Sequence, residues 1–190
     1  MAIPALDNTV GGSAANTYVT ELEAENYHDS RLNSSAWTNA EADNKKRSHL
    51  MAAKRLDREN WQGDRATSDQ VLAWPRAGVI KPDGVGVGSG DYIPGAGAAL
   101  YPRTGYGFYW GGYGEQYLST EIPQPVKDAQ CELALAYLEG FDESGEGAMD
   151  SFSAEGVSVK FRSEKPSGGL PPRVMHLIGG LIAGNRIIRG

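Results

Sequence analysis

Apolar and polar positions along this chain follow two different periods, and the points where the period changes mark out its elements. Thr20-Glu21-Leu22-Glu23 reads as a capping box, the hydroxyl serving the N3 amide and Glu23 reaching back, which predicts a helix from Glu21 to about Leu32. The same device at Thr38-Asn39-Ala40-Glu41 predicts a second helix of roughly five turns ending near Asn60. The link Asn33-Ser34-Ser35-Ala36-Trp37 then makes a helical hairpin. A third helix is expected from about Pro125 to Glu139, with Val126, Ala129, Leu133 and Tyr137 down one stripe. It starts on prolines, whose missing N–H groups cost nothing there, and Gly140 can end it.

Further on the period falls to two. Val157, Val159 and Phe161 alternate with Ser158, Lys160 and Arg162, the pattern of a half-buried strand, and Phe152 and Ala154 ahead of Glu155-Gly156 supply a hairpin partner. Helical spacing returns after Pro171-Pro172 with Val174, Leu177, Ile178, Leu181 and Ile182, although Gly179, Gly180 and Gly184 weaken that helix. The expected fold is mainly α: a small helical bundle with a short β-hairpin appendage and a long Gly/aromatic-rich insert. Its divisions are an N-terminal arm (1–16), a helical core (17–140) with the insert at about 84–119, and an appendage with a C-terminal helix (141–190). The arm is small and polar, with little reason to fold alone.

Leu72-Ala73-Trp74-Pro75-Arg76-Ala77-Gly78-Val79 forms a rigid elbow. Pro75 fixes its own φ and pushes Trp74 out of the helical region, while Gly78 permits a turn that a side chain would resist. Trp74 is expected in the core, and the Arg76 guanidinium on helix-end carbonyls or an acidic residue. Trp37 and Trp61 also sit at element ends and are expected to plug gaps between helices.

The insert reads Gly84-Val85-Gly86-Val87-Gly88-Ser89-Gly90, then Tyr92, Tyr101, Tyr106, Phe108, Tyr109, Trp110, Tyr113 and Tyr117 spaced largely by glycine. Disordered segments are poor in aromatics, so an excursion that folds against another subunit or a tail component fits better. A stacking platform for single-stranded nucleic acid is the competing reading, but only Arg103 supplies positive charge there, beside Asp91 and Glu115.

Charge sharpens the choice. The 190 residues carry 18 Lys and Arg against 24 Asp and Glu, a formal net charge of −6. Affinity for nucleic acid comes mainly from cations that release counterions, so free DNA is not the expected ligand. Lys45, Lys46, Arg47, Lys54, Arg55 and Arg58 are mixed with Glu41, Asp43, Asp57 and Glu59, which reads as an ion-paired face rather than a phosphate stripe.

Catalytic chemistry finds no foothold. His28, His49 and His176 have no companion at metal-ligand spacing, and Cys131 lies in an apolar helical pattern as a small buried hydrophobe. The Gly84 to Gly90 run lacks the Gly-Lys-Ser/Thr ending of a nucleotide loop. Glu21, Glu23 and Glu25 suit the field at a helix start. No enzyme, cofactor or metal is expected. Neither a signal peptide at Met1-Ala2-Ile3-Pro4 nor a membrane span is expected, because the longest apolar run, Val174 to Ala183, is interrupted.

The elbow, the segment Ile122 to Leu135, Asn16 to Glu25 and Ala52-Ala53-Lys54-Arg55-Leu56-Asp57 together resemble a tailed-phage family labelled "DnaT-like", whose members resemble head-tail connector or adaptor proteins. The resemblance runs from about Asn16 to Gly140, weakens over the strand and final helix, and is absent in the insert. It implies a structural virion protein at the head-tail junction, assembled in the host cytoplasm. Copies would form a ring, about twelve in such a closed assembly, docked on the portal above and a tail or neck protein below. The genome would pass through without specific binding. By the same analogy the docking element is Arg173, Val174, Leu177, Ile178, Leu181, Ile182, Arg186, Ile187, Ile188 and Arg189, whose apolar stripe would need a partner surface. The alternatives are a single-stranded-DNA-binding replication accessory, which the label suggests, and a tail-completion protein one layer down.

Overall fold

The computed structural model describes residues 3–82, 115–142, 151–154, 157–160 and 169–183, the two short stretches 151–154 and 157–160 by their backbone. Helix α1, Glu21–Asp29, opens on the expected capping box: Thr20 Oγ1 accepts from the Glu23 N–H at 3.0 Å, and the Glu23 carboxylate accepts from the Thr20 N–H at 2.7 Å. It ends before Leu32, and Asn33 turns the chain with a φ of 60°.

The next stretch departs from expectation. Ser35–Thr38 is a short helix, α2, not a linker, and the Thr38 hydroxyl donates back to the Ser34 carbonyl at 3.2 Å. Thr38 therefore closes α2 instead of capping its successor. Helix α3 runs Ala42–Leu56, with Glu41 at its N-cap and no side-chain cap bond. It stops at Leu56, short of Asn60, because the Trp61 indole N–H takes the Leu56 carbonyl at 3.0 Å.

After α3 the chain makes a two-residue ladder between β1, Asp64–Arg65, and β2, Arg76–Ala77. The two strands approach so closely that a Cβ on Gly63, which has a φ of +68°, would run into the Ala77 carbonyl oxygen. The elbow buries Trp74 as expected, but Arg76 serves loop carbonyls and not the helix-end carbonyls or acidic residue expected of it. Trp74 is 1% exposed and meets Trp61 edge-on at 5.6 Å between centroids. Arg76 Nε donates to the Gln62 carbonyl at 2.7 Å and Nη1 to that of Ala73 at 3.3 Å, so the guanidinium ties together the loops on either side.

Helix α4, Gln124–Leu138, is the centre of the molecule. The expected single stripe is too narrow a description: every residue from Ala129 to Ala136 is buried. Alanines at 129 and 134 let neighbours come close, and α3 brings Ala52 and Leu56 to the same cluster. Gly140, with a φ of +90°, terminates the helix, and the Phe141 N–H returns to the Ala136 carbonyl at 2.9 Å.

The N-terminal arm is not loose over its described residues. Asn16 stitches it into a loop, accepting from the Asp7 N–H at 2.8 Å and donating to the Ala5 carbonyl at 2.9 Å. Beyond α4, the backbone of β3, Ser151–Ala154, pairs antiparallel with β4, Val157–Lys160, as the alternating pattern predicted. Helix α5, Pro172–Ile178, is shorter than expected, giving way at its glycines to a single 3₁₀ turn, Gly179–Leu181. Ile182 then bridges Trp61, with the Gln62 N–H on the Leu181 carbonyl at 2.9 Å.

The main core thus joins Tyr18, Leu56, Trp61, Trp74, Leu133 and Ile178, and a smaller cluster holds Val19, Ala24, Trp37, Cys131 and Leu135. Truncating a ring as fully enclosed as that of Trp74 opens a large cavity, so Trp74→Ala should lower the unfolding free energy by roughly 3–5 kcal/mol in urea titration.

Candidate interaction surfaces

Several cations of the helical body are turned onto its own carboxylates. Lys45 reaches Glu25 at 3.0 Å, Lys46 reaches Glu21 at 3.1 Å, and Lys127 reaches Glu23 at 2.6 Å, so α1 is stapled by its acidic side to α3 and α4. Arg47 pairs with Asp43 at 3.9 Å along α3, and Arg55 reaches Glu59, just past its end, at 2.5 Å. The ion-paired face that the interleaved charges suggested is realised in part: Lys45 and Lys46 find their acids on α1, and Asp57 accepts from the Tyr18 hydroxyl and the Ala73 N–H instead.

One of these clusters is buried. Glu132 is 5% exposed in the middle of α4. It accepts the Tyr27 hydroxyl at 2.7 Å, pairs with Arg31, and lies 3.4 Å from Arg173 of α5. Arg173 also holds Glu139 at 2.6 Å. A buried carboxylate needs such partners to stay charged, and here the partners lock α1 and α5 onto α4. Glu132 was missed in the sequence because it looks like one more helical surface acid. The available signal was its place inside an otherwise apolar run.

A second buried polar group joins α1, α2 and α3. The His28 ring, 0% exposed, stacks on Trp37 at 4.1 Å, and His49, 1% exposed, meets the same indole edge-on at 5.1 Å. Trp37 donates to Glu25 at 3.0 Å, and Lys45 sits over its face. Burial pushes both imidazoles down from 6.5 to about 4; Arg31 and Lys45 add to this at His28, while Glu25 opposes it at both rings and Asp29 at His28. Both histidines are packed, as expected of rings without ligand spacing. Burial likewise pushes the Cys131 thiol up to about 12, which leaves it unreactive near neutral pH. Among the described residues no group of three or more His, Cys, Asp or Glu could hold a metal ion, and no helix is long and apolar enough to cross a membrane.

The proposed contact elements fall as follows. Tyr92, Tyr101, Tyr106, Phe108, Tyr109, Trp110 and Tyr113 lie outside the described residues, whereas Tyr117 is half-buried against the core and edge-on to Trp74 at 6.3 Å. Both ends of the insert are held together. Ile80 bridges Gln116, the Lys81 N–H donates to the Glu115 carbonyl at 2.7 Å and the Tyr117 N–H to that of Val79 at 3.0 Å, with an ion pair between the Lys81 and Glu115 side chains. Whatever the intervening chain does, it leaves and re-enters the body at one two-stranded stem.

At the C-terminus the premise of an uncovered stripe needs correction. Val174, Ile178 and Leu181 are each 0% exposed within the chain's own core, and Leu177 and Ile182 pack against it. Arg173 is engaged with Glu132 and Glu139. The stripe is covered by α4 and by the Trp61 segment. Arg186, Ile187, Ile188 and Arg189 lie outside the described residues.

The described residues form a helical body with a buried ionic clamp and a two-stranded stem. A family model described as "Putative DnaT-like ssDNA binding protein" matches the chain in two stretches, residues 5–96 and 89–190. The chain belongs to this family. The match bears out the DnaT-like label and does not carry the head-tail connector assignment. No curated protein and no solved structure gives a significant match.

The two histidines make the fold acid-sensitive. An unfolded chain protonates these rings near pH 6.5, the folded one only near 4, so stability should be full above about 6.5 and fall as pH drops toward 4. In urea titrations across this range His28→Phe should flatten the fall; an unchanged slope would show that the rings titrate freely.

Proposed function

We propose that this chain is a structural assembly protein, a head-tail adaptor of a tailed phage. In this reading copies form a ring that joins the portal to the tail or neck and leaves a channel for the genome. The observation that carries it is the internal pairing of Lys45, Lys46, Lys127, Arg55, Arg31 and Arg173 with carboxylates of the same body. Cations engaged in this way give up much of their capacity to neutralise phosphates. With a net charge of −6, such a body suits a wall past which DNA slides. The insert, rooted on a stem beside Trp74, supports contact with a neighbouring subunit or tail component. The virion location and the portal and tail partners belong to the same proposal, and a tail-completion protein one layer down would share the architecture.

A second reading is a single-stranded-DNA-binding replication accessory. The family description favours it, and more directly than it favours the adaptor. Its aromatic insert would then stack bases, and binding would depend on salt. Light scattering of the chain alone and mixed with portal protein, beside a gel shift with single-stranded DNA, separates the two. A ring that binds portal and leaves DNA unshifted at physiological salt supports the adaptor. A monomer that ignores portal and shifts DNA there overturns it.

The docking assignment needs a truncation that spares the core. Because Val174, Ile178 and Leu181 are core residues, removal of 173–190 would unfold the chain, so the informative deletion is 184–190. It should preserve helical circular dichroism and abolish portal binding; full binding by residues 1–183 would reject the C-terminal tail as the docking element.

A further inference from the structure

The chain leaves its described body at Pro82 and again after Ala183, and the roots of the two exits are in contact. A Cβ placed on Gly180, in the 3₁₀ turn Gly179–Leu181, would stand 2.7 Å from Cγ and 3.0 Å from Cβ of Pro82, at the end of the stem. Gly180 is not one of the glycines with a positive φ, so no backbone strain calls for glycine there. The close approach of the proline is what excludes a side chain. Its ring is closed on its own backbone and cannot swing aside as a long side chain would.

A second connection runs through aromatic rings. Tyr117 of the stem is edge-on to Trp74 at 6.3 Å, Trp74 is edge-on to Trp61 at 5.6 Å, and Trp61 bridges Ile182 just past the turn. Gln62 holds the turn itself, its side-chain Nε2 donating to the Gly180 carbonyl at 2.9 Å and its N–H to that of Leu181 at 2.9 Å. Both elements are short. The stem is closed by the Lys81 N–H on the Glu115 carbonyl and the Tyr117 N–H on that of Val79, and the turn has three residues and no side-chain cap. Short elements of this kind open locally at low free-energy cost unless something packs against them.

We propose that the stem and the C-terminal turn are a coupled pair, each held shut by the other, so that fixing the chain at one slows opening at the other. The contact of Pro82 with Gly180 is the direct path, and the row Tyr117, Trp74, Trp61 is the indirect one. A frayed turn takes away the surface on which Pro82 rests, and a parted stem uncovers Gly180 and lifts Tyr117 from Trp74. Coupling between two sites is reciprocal, so a partner that grips the chain beyond Ala183 is registered at the stem, and strain at the stem is registered at the C-terminal turn. The coupling belongs to the body itself and holds for either reading of the function proposed above.

The test is amide hydrogen exchange on the full chain, read residue by residue by NMR. Gly180 and Pro82 are both exposed, so substitution at either leaves the core packing in place. Gly180→Ala should speed exchange of the stem amides, Lys81 and Tyr117, by about tenfold or more, the scale of effect that forcing in one extra methyl produces. Leu133 in α4 should keep its original rate. In the other direction, Pro82→Ala should speed exchange of Gln62 and Ala183, whose N–H groups fasten the turn, by about threefold or more through loss of the ring's contacts. Stem amides unchanged in Gly180→Ala, or turn amides unchanged in Pro82→Ala, would overturn the coupling. If Leu133 also exchanges faster in Gly180→Ala, that variant is destabilised as a whole and the Pro82→Ala result decides alone.

Discussion

Burial of α4 on nearly all sides is the constraint from which the rest of the structure follows. A helix enclosed from Ala129 to Ala136 can carry polar side chains only if its neighbours complete them, and it carries two. Gln130 accepts the Tyr18 N–H at 2.8 Å and donates to Thr17 at 2.7 Å and to the His49 carbonyl at 3.1 Å, so one amide aligns the N-terminal segment and α3 on α4. Glu132, two residues on, recruits Tyr27, Arg31 and Arg173 and places α1 and α5. Apolar burial supplies most of the driving force, about 1.5–3 kcal/mol for each enclosed residue such as Leu133 or Ile178. The two polar residues decide which helices sit where, because a mispacked arrangement would leave a buried carboxylate or amide without partners.

Those demands shape the exterior as well. Arg31 and Arg173 serve Glu132, and Lys45, Lys46 and Lys127 serve the acids of α1. Outside the helices lie the stem at Ile80 and Gln116 and the backbone of the β3–β4 ribbon. The stem and the exit at Ala183 are each well rooted. The stem is backed by Val79 and Tyr117 against Trp74, and the C-terminal exit is fastened by Asn60 and Gln62.

Local signals in the sequence were reliable where the deciding interaction is itself local. The Thr20 box, the Gly140 stop, the alternation from Phe152 to Val159 and the Pro75–Gly78 elbow each depend on residues a few positions apart. The Thr38 box failed for a reason the same kind of reading could not weigh. Its hydroxyl has two nearby uses, closing a short helix or capping the next, and α2 is favoured because Trp37 must enter the second core cluster. The C-terminal stripe was rightly read as apolar and wrongly read as uncovered, since a pattern reports which face will be buried and not what buries it.

The sequence by itself determined a mainly helical body with a hairpin appendage, the burial of Trp37, Trp61 and Trp74, the lack of ligand spacing among the histidines, and an acidic net charge. Tertiary structure alone decided that α4 is enclosed all round, that Glu132 is a clamp and not a surface acid, that His28 and His49 share one indole, and that α5 belongs to the core. The physical reason is range. Helix caps, turns and alternation are settled by backbone geometry over a few residues, whereas the partners of Glu132 and the burial of Val174 depend on side chains brought from distant parts of the chain, which only packing can deliver.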